Sequence, residues 1–213
     1  MRLPFFFIFL LSWICSFGLV QAETLCEKAN QAWLSIKSYQ CDYIATTLYE
    51  GKQKETEMLY SYAKPNKIRM DISKPKQGAV LIYNPEITKK VRVRPFPSLK
   101  FMILKFDLID PKVSSDNGGT IDESDLGTRM QKFCSLLEKT DSKFIHENLE
   151  INGVTLQVKE EGQWLKKKYY FNNKNLLEKI EVLDSTEEII EKFEWKNFKA
   201  NFQFKENWFK EMN

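Results

Sequence analysis

Residues able to carry acid–base chemistry do not gather in this sequence: carboxylates are plentiful, with 29 Asp and Glu, but no pair stands out from the solvated strand faces. There is one histidine, His146. Imidazole is the usual general acid or base near neutral pH, but His146 falls on an expected strand among polar neighbours and reads as a surface residue. No Gly-x-Ser-x-Gly elbow, Cys-x-x-Cys pair, zinc-type histidine pair or phosphate-binding glycine loop occurs. Asp122, Glu123 and Asp125 resemble a cation cluster. They stand where a helix begins, however, and acidic side chains there complement the positive end of the helix dipole. The expectation is a chain with no catalytic residue, no metal site and no cofactor, and therefore not an enzyme.

The chemistry available instead is that of large apolar side chains. The sequence holds 16 Phe, 8 Tyr and 5 Trp. Phe5, Phe6, Phe7, Phe9, Phe17 and Trp13 lie in an N-terminal apolar run, which leaves eleven Phe and four Trp for the rest. That run has the three parts of a secretory signal: Arg2, the apolar stretch Leu3 to Val20, and Val20-Gln21-Ala22 as the cleavage site. Residues 1–22 are read as a signal peptide, residues 23–213 as one exported domain, and the periplasm as its place of work. An uncleaved anchor is the alternative, because the stretch is near the minimum length of a span. Cysteines outside the signal are Cys26, Cys41 and Cys134, an odd number that allows one internal disulfide and leaves one thiol over; spacing does not choose the pair. The net charge of +3 comes from Lys and Arg interleaved with Asp and Glu, a pattern that gives no stripe for nucleic acid.

The elements that must position these side chains follow from periodicity. Leu25, Ala29, Ala32, Trp33 and Ile36 form one apolar stripe at helical spacing, which predicts a helix from Glu23 to Lys37. From Tyr39 the period is two. Turn signals at Glu50-Gly51-Lys52, Lys64-Pro65-Asn66, Pro75 to Gly78 and Asn84-Pro85-Glu86 cut the chain into five strands ending near Arg94. Leu99 to Leu108 is apolar and irregular, compatible with a strand or a helical turn. Thr120 to Glu123 has capping-box spacing and predicts a second helix to about Lys139, with Leu126, Met130, Phe133 and Leu137 as its stripe. Five more strands run from Ser142 to Trp195, broken at Asn152-Gly153, Glu161-Gly162, Asn172 to Asn175 and Asp184 to Thr186. The expected class is α+β: a curved antiparallel sheet forming an unclosed β-barrel, capped by helices. Such a sheet needs apolar filling for its core, and it can also keep a cavity for a lipid; composition does not separate the two.

Several segments, in order, resemble the LolA/LolB-like superfamily of lipoprotein carriers. Ala32 to Tyr39 resembles the junction from helix to first strand. Tyr62-Ala63-Lys64-Pro65-Asn66-Lys67-Ile68-Arg69-Met70 resembles the basic–Pro–Asn turn before a strand, and Val80 to Pro85 a strand entering a tight turn. The resemblance implies an apolar cavity for acyl chains beneath the helices. It also implies carriage of lipoproteins, or other lipids, across the periplasm to the outer membrane, with an inner-membrane release complex and an outer-membrane acceptor as partners and a monomeric carrier. In that version an Arg before the Pro helps hold the lid closed through hydrogen bonds. Here the position is Lys64, which lacks a planar fork; Arg69 is the second lid-closing candidate. The expected cavity and lid residues are Leu25, Ala29, Trp33, Ile36, Leu126, Met130, Phe133 and Leu137 from the helices, and Tyr43, Met58, Tyr60, Met70, Ile82 and Val93 from the strands. A register error of one residue inverts any strand assignment. The same fold resembles the sensor domain of the periplasmic regulator RseB, so the alternative is an envelope lipid-sensing or protein-interaction module that does not transport.

Overall fold

Alternation at period two produces long strands in both halves of the chain, and short turns join them into two antiparallel meanders. In a computed structural model, residues 25–49, 51–98, 101–115, 119–138, 142–148, 152–160 and 162–212 are described. The expected signal segment 1–22 lies outside the described residues. The first meander is β1 (Ser38–Tyr49), β2 (Lys52–Ala63), β3 (Lys67–Lys74), β4 (Val80–Asn84), β5 (Thr88–Arg94) and β6 (Leu104–Phe106). The second is β7 (Ser142–Asn148), β8 (Gly153–Glu160), β9 (Gln163–Phe171), β10 (Leu177–Leu183) and β11 (Ile189–Ala200). β1 and β11 pair antiparallel and fuse the halves into one sheet in the order β6-β5-β4-β3-β2-β1-β11-β10-β9-β8-β7. β6 and β7 stand at opposite ends of that order, so the barrel does not close. Among the described residues the sheet has eleven strands where the sequence pattern predicts ten. The eleventh is β6, the strand alternative of the irregular segment Leu99 to Leu108, whose Leu104 and Phe106 pair with Val93 and Val91 of β5.

Among the described residues two α-helices lie before and between the meanders. α1 covers residues 25–34 and ends three residues before the expected Lys37. Its last turn tightens, with the Ile36 amide donating to the Trp33 carbonyl at 3.0 Å, and Ser38 already belongs to β1. α2 (Leu126–Glu138) also differs from expectation at its start. Thr120 to Glu123 forms only a single 3-10 turn, Ile121–Glu123, and the Thr120 side chain makes no cap bond. The cap is Asp125, whose Oδ1 accepts from the amides of Gly127 at 2.8 Å and Thr128 at 3.1 Å. One buried carboxylate oxygen thereby satisfies two of the free amides at the helix start.

The core fills the concave side of the sheet. One cluster joins Leu25, Ala29 and Ile36 with Leu126, Met130, Phe133 and Leu136 and with strand residues of both meanders, from Val91 and Tyr83 to Val154 and Leu156. Each large side chain of this kind contributes about 1.5–3 kcal/mol when fully buried. The convex side carries a second, small cluster of Val80, Ile82 and Met212 beneath the C-terminal tail.

Candidate functional site

Strand register places one apolar row across the concave face. Cys41 pairs with Tyr60, Tyr60 with Met70, Met70 with Leu81, Leu81 with Val93, and Val93 with Leu104. Directly paired residues share a face of the sheet, so this row is continuous through β1 to β6. It begins at Cys41 and Tyr60, each 1% exposed, and ends at Leu104, 39% exposed. The helices cover the buried end, and the row emerges past them toward the free edge.

The cover is fastened at four places. A disulfide joins Cys26 of α1 to Cys134 of α2, with Cα atoms 5.7 Å apart. Burial holds the remaining thiol, Cys41, well above the usual thiol range. Lys64, in the turn between β2 and β3, donates through Nζ to the carbonyls of Trp33 at 3.1 Å and Leu34 at 3.4 Å, and sits 5.0 Å from the Trp33 ring centre. A cation there satisfies free carbonyls at the negative end of α1. The start of α2 rests on two buried phenols: the Leu126 amide donates to Tyr39 Oη at 3.0 Å, and Tyr60 Oη shares a hydrogen bond with Ser124 Oγ at 2.9 Å. Burial pushes both phenols well above the usual tyrosine range, so both stay protonated. Finally, Gly127 meets the Trp33 indole so closely that a Cβ there would stand 2.2 Å from Cε2.

Beneath the other side of α2 lies a cavity of about 330 Å³. Leu136, Tyr169, Ile180, Val182 and Phe193 supply apolar wall, and Arg129, Lys132, Glu160, Lys167 and Glu191 surround it with charge of both signs. Lys167 pairs with Glu160 at 2.7 Å, and the Arg129 guanidinium lies 5.1 Å from the Phe193 ring centre. Its volume is at the lower end of the range for ligand pockets.

Eleven of the expected lining residues fall in the concave core: Leu25, Ala29, Ile36, Tyr43, Met58, Tyr60, Met70, Val93, Leu126, Met130 and Phe133. Trp33 and Leu137 are half-buried against it. Ile82 is corrected: it pairs with Arg69 on the convex face, because Met70 and Leu81, one residue away on each strand, occupy the concave one. Arg69 is corrected with it. Its Nη1 donates to the carbonyls of Trp208 and Glu211 at 3.1 and 2.8 Å, its Nε and Nη2 grip Asp71, and its guanidinium stacks 4.3 Å from the Trp208 ring centre. It clamps the C-terminal tail against the convex face. The sequence reading missed the cavity wall from β9 to β11. The signal was present in Tyr169 and Phe171, Ile180 and Val182, and Phe193 and Trp195, pairs spaced two apart. His146 lies on β7. Among the described residues no group of His, Cys, Asp and Glu is placed to hold a metal.

No known family profile and no curated protein matches the chain. Solved structures do resemble it. An uncharacterised conserved protein from Thermus thermophilus superposes with a TM-score of 0.51 at 12% identity, over 89% of this chain and 93% of that one, and shares its fold. LprF from Mycobacterium bovis is similar at a TM-score of 0.49 and 6% identity, over 87% and 96% of the two chains. A LolA superfamily protein from Nitrosomonas europaea is similar at 0.41 and 11%, over 86% and 94%.

Proposed function

We propose that this chain is an exported, monomeric carrier of the envelope that takes acyl chains of lipoproteins or other lipids beneath α2, for delivery toward the outer membrane. The observation that carries the reading is the cavity with apolar wall from Leu136, Tyr169, Ile180, Val182 and Phe193, which lies under a helix, beside the concave apolar core and within a rim of charged side chains. Buried methylenes contribute about 0.8 kcal/mol each, so a cavity of this size already holds part of a chain with useful affinity. Longer chains require the helices to rise and to exchange core contacts for contacts with lipid. Lys64, Trp33 and the Cys26–Cys134 disulfide govern that motion in this reading. The order of segments that resembles LolA/LolB-like carriers supports it, and the signal pattern at residues 1–22 supports a periplasmic place of work.

The test is covalent mapping with a photoreactive fatty acid. Labelling of peptides that hold Leu136, Tyr169 and Phe193, suppressed by excess unlabelled fatty acid, is the expected result. Labelling spread over the surface and insensitive to competitor would remove the proposal. A second reading, an interaction module without transport, draws on a different observation. The face beneath α1 is already filled by stacked aromatics, with Tyr39 5.8 Å from Tyr60 and 5.2 Å from Tyr62 between ring centres. No competitor-sensitive labelling, together with no lipid uptake, would favour it.

A further inference from the structure

The apolar row does not end in solvent by itself. Past Leu104 the chain presents Phe101, Met102 and Ile103, with Phe96 on the approach, all strongly exposed. Phe101 is 101% exposed, so nothing in the described structure shields its ring. A large phenyl group held fully in water is unfavourable unless something covers it. The base of the segment is fastened. Pro97 lies against Gly78 so tightly that a Cβ on that glycine would stand 2.2 Å from Pro97 Cγ, and β6 pairs with β5 immediately after Ile103.

Within its own stretch of sequence this segment carries charge of one sign. From Lys89 to Lys105 the sequence carries Lys89, Lys90, Arg92, Arg94, Lys100 and Lys105 and no Asp or Glu. Lys90 pairs with Asp107 at 3.1 Å. Arg92 donates to the carbonyls of Lys210 and Phe209, and Arg94 to that of Met212; carbonyl partners leave their charge in place. Cations around a protruding aromatic and aliphatic segment complement an anionic lipid surface, into which the apolar side chains sink while the Lys ammoniums stay among the headgroups.

We propose that Phe96 and residues 101–104 dock this protein on the surface of an anionic bilayer, with Phe101 inserted, so that the exposed end of the concave row faces the membrane. The proposal rests on the carrier reading only for its purpose, a dry path for acyl chains from bilayer to cavity; the docking itself rests on the exposed segment and its charge.

The experiment uses the chain from Glu23 onward, which contains every described residue and lacks the apolar signal run. Its flotation with phosphatidylglycerol–phosphatidylethanolamine vesicles is compared with flotation on phosphatidylcholine vesicles. Binding to the anionic vesicles is expected to exceed binding to the neutral ones at least tenfold and to weaken with added salt. Phe101→Asp is expected to abolish it, and Lys105→Glu to reduce it several-fold. Because Phe101 and Lys105 are exposed, unchanged thermal melting of both variants is the check on folding. No flotation of the parent chain, or flotation unaffected by Phe101→Asp, would overturn the proposal and leave the segment to a protein partner. Uptake of a fluorescent fatty acid in the absence of vesicles is read in parallel. Its absence from parent and variants alike would count against the cavity, while loss of flotation with uptake retained in Phe101→Asp would support the docking.

Discussion

Lys64 Nζ donates to the Trp33 carbonyl at 3.1 Å and at the same time lies 5.0 Å from the centre of the Trp33 ring. One ammonium thus holds both the backbone end of α1 and the side chain that α1 inserts against α2. Lys64→Met keeps most of the stem and removes the charge. The expected cost is about 1 kcal/mol, the net value of a charge-assisted contact at a partly exposed site. Thermal melting checks the stability, and stopped-flow uptake of a fluorescent fatty acid checks the lid, with faster uptake expected. Lys64→Arg restores both.

Gly127 separates two opposing effects. Alanine is the better helix former by about 1 kcal/mol, so on propensity alone Gly127→Ala stabilises α2. The added Cβ would meet the Trp33 indole at 2.2 Å, and forcing extra volume into a packed contact costs about 1–3 kcal/mol. The contact wins, and the variant is expected to be less stable in urea denaturation, with Trp emission shifted toward that of exposed indole.

The Cys26–Cys134 disulfide spans 108 residues of sequence, so it restricts a long loop in the unfolded chain. Replacing both cysteines with serine is expected to cost about 2–4 kcal/mol and to make stability insensitive to reductant. Cys41→Ser is expected to leave that sensitivity in place, because Cys41 is the free, buried thiol.

Alkaline pH attacks the floor of the lid. Burial raises the phenols of Tyr39, Tyr43 and Tyr60 above their ordinary value, so the native state retains protons that the unfolded chain loses above about pH 10. Their contribution is full below that pH and is lost as pH rises through the raised folded-state values. Tyrosinate absorbance and loss of sheet signal are therefore expected to rise together and steeply above pH 10. Titration of all eight tyrosines with the sheet intact would contradict the packing described.

Much of the architecture is legible in local pattern, because strand alternation and turn residues act over a few positions. Tyr39, Cys41 and Tyr43 alternate as read and face the core, and the stripe of Leu126, Met130 and Phe133 is buried as spaced. What local pattern does not carry is which side of a strand faces inward. Val80 and Ile82 look like core residues and are buried, but beneath the tail at Met212 rather than beneath the helices. Arg69 is buried for the same reason. Its partners, Trp208 and Glu211, lie some 140 residues away, beyond any window of periodicity. The capping-box spacing at Thr120 misled because Asp125, a few residues on, makes two cap bonds where Thr120 makes none.

Native mass spectrometry of the protein purified from its own cells, followed by extraction and analysis of what is bound, decides whether lipid occupies the space beneath α2. An acyl-chain lipid or lipoprotein is expected in near-stoichiometric amount, displaced by excess fatty acid and reduced when Phe193 is replaced by Asp in a folded variant. A bare polypeptide mass, together with no uptake of a fluorescent lipid even after the Cys26–Cys134 bond is reduced, would contradict it.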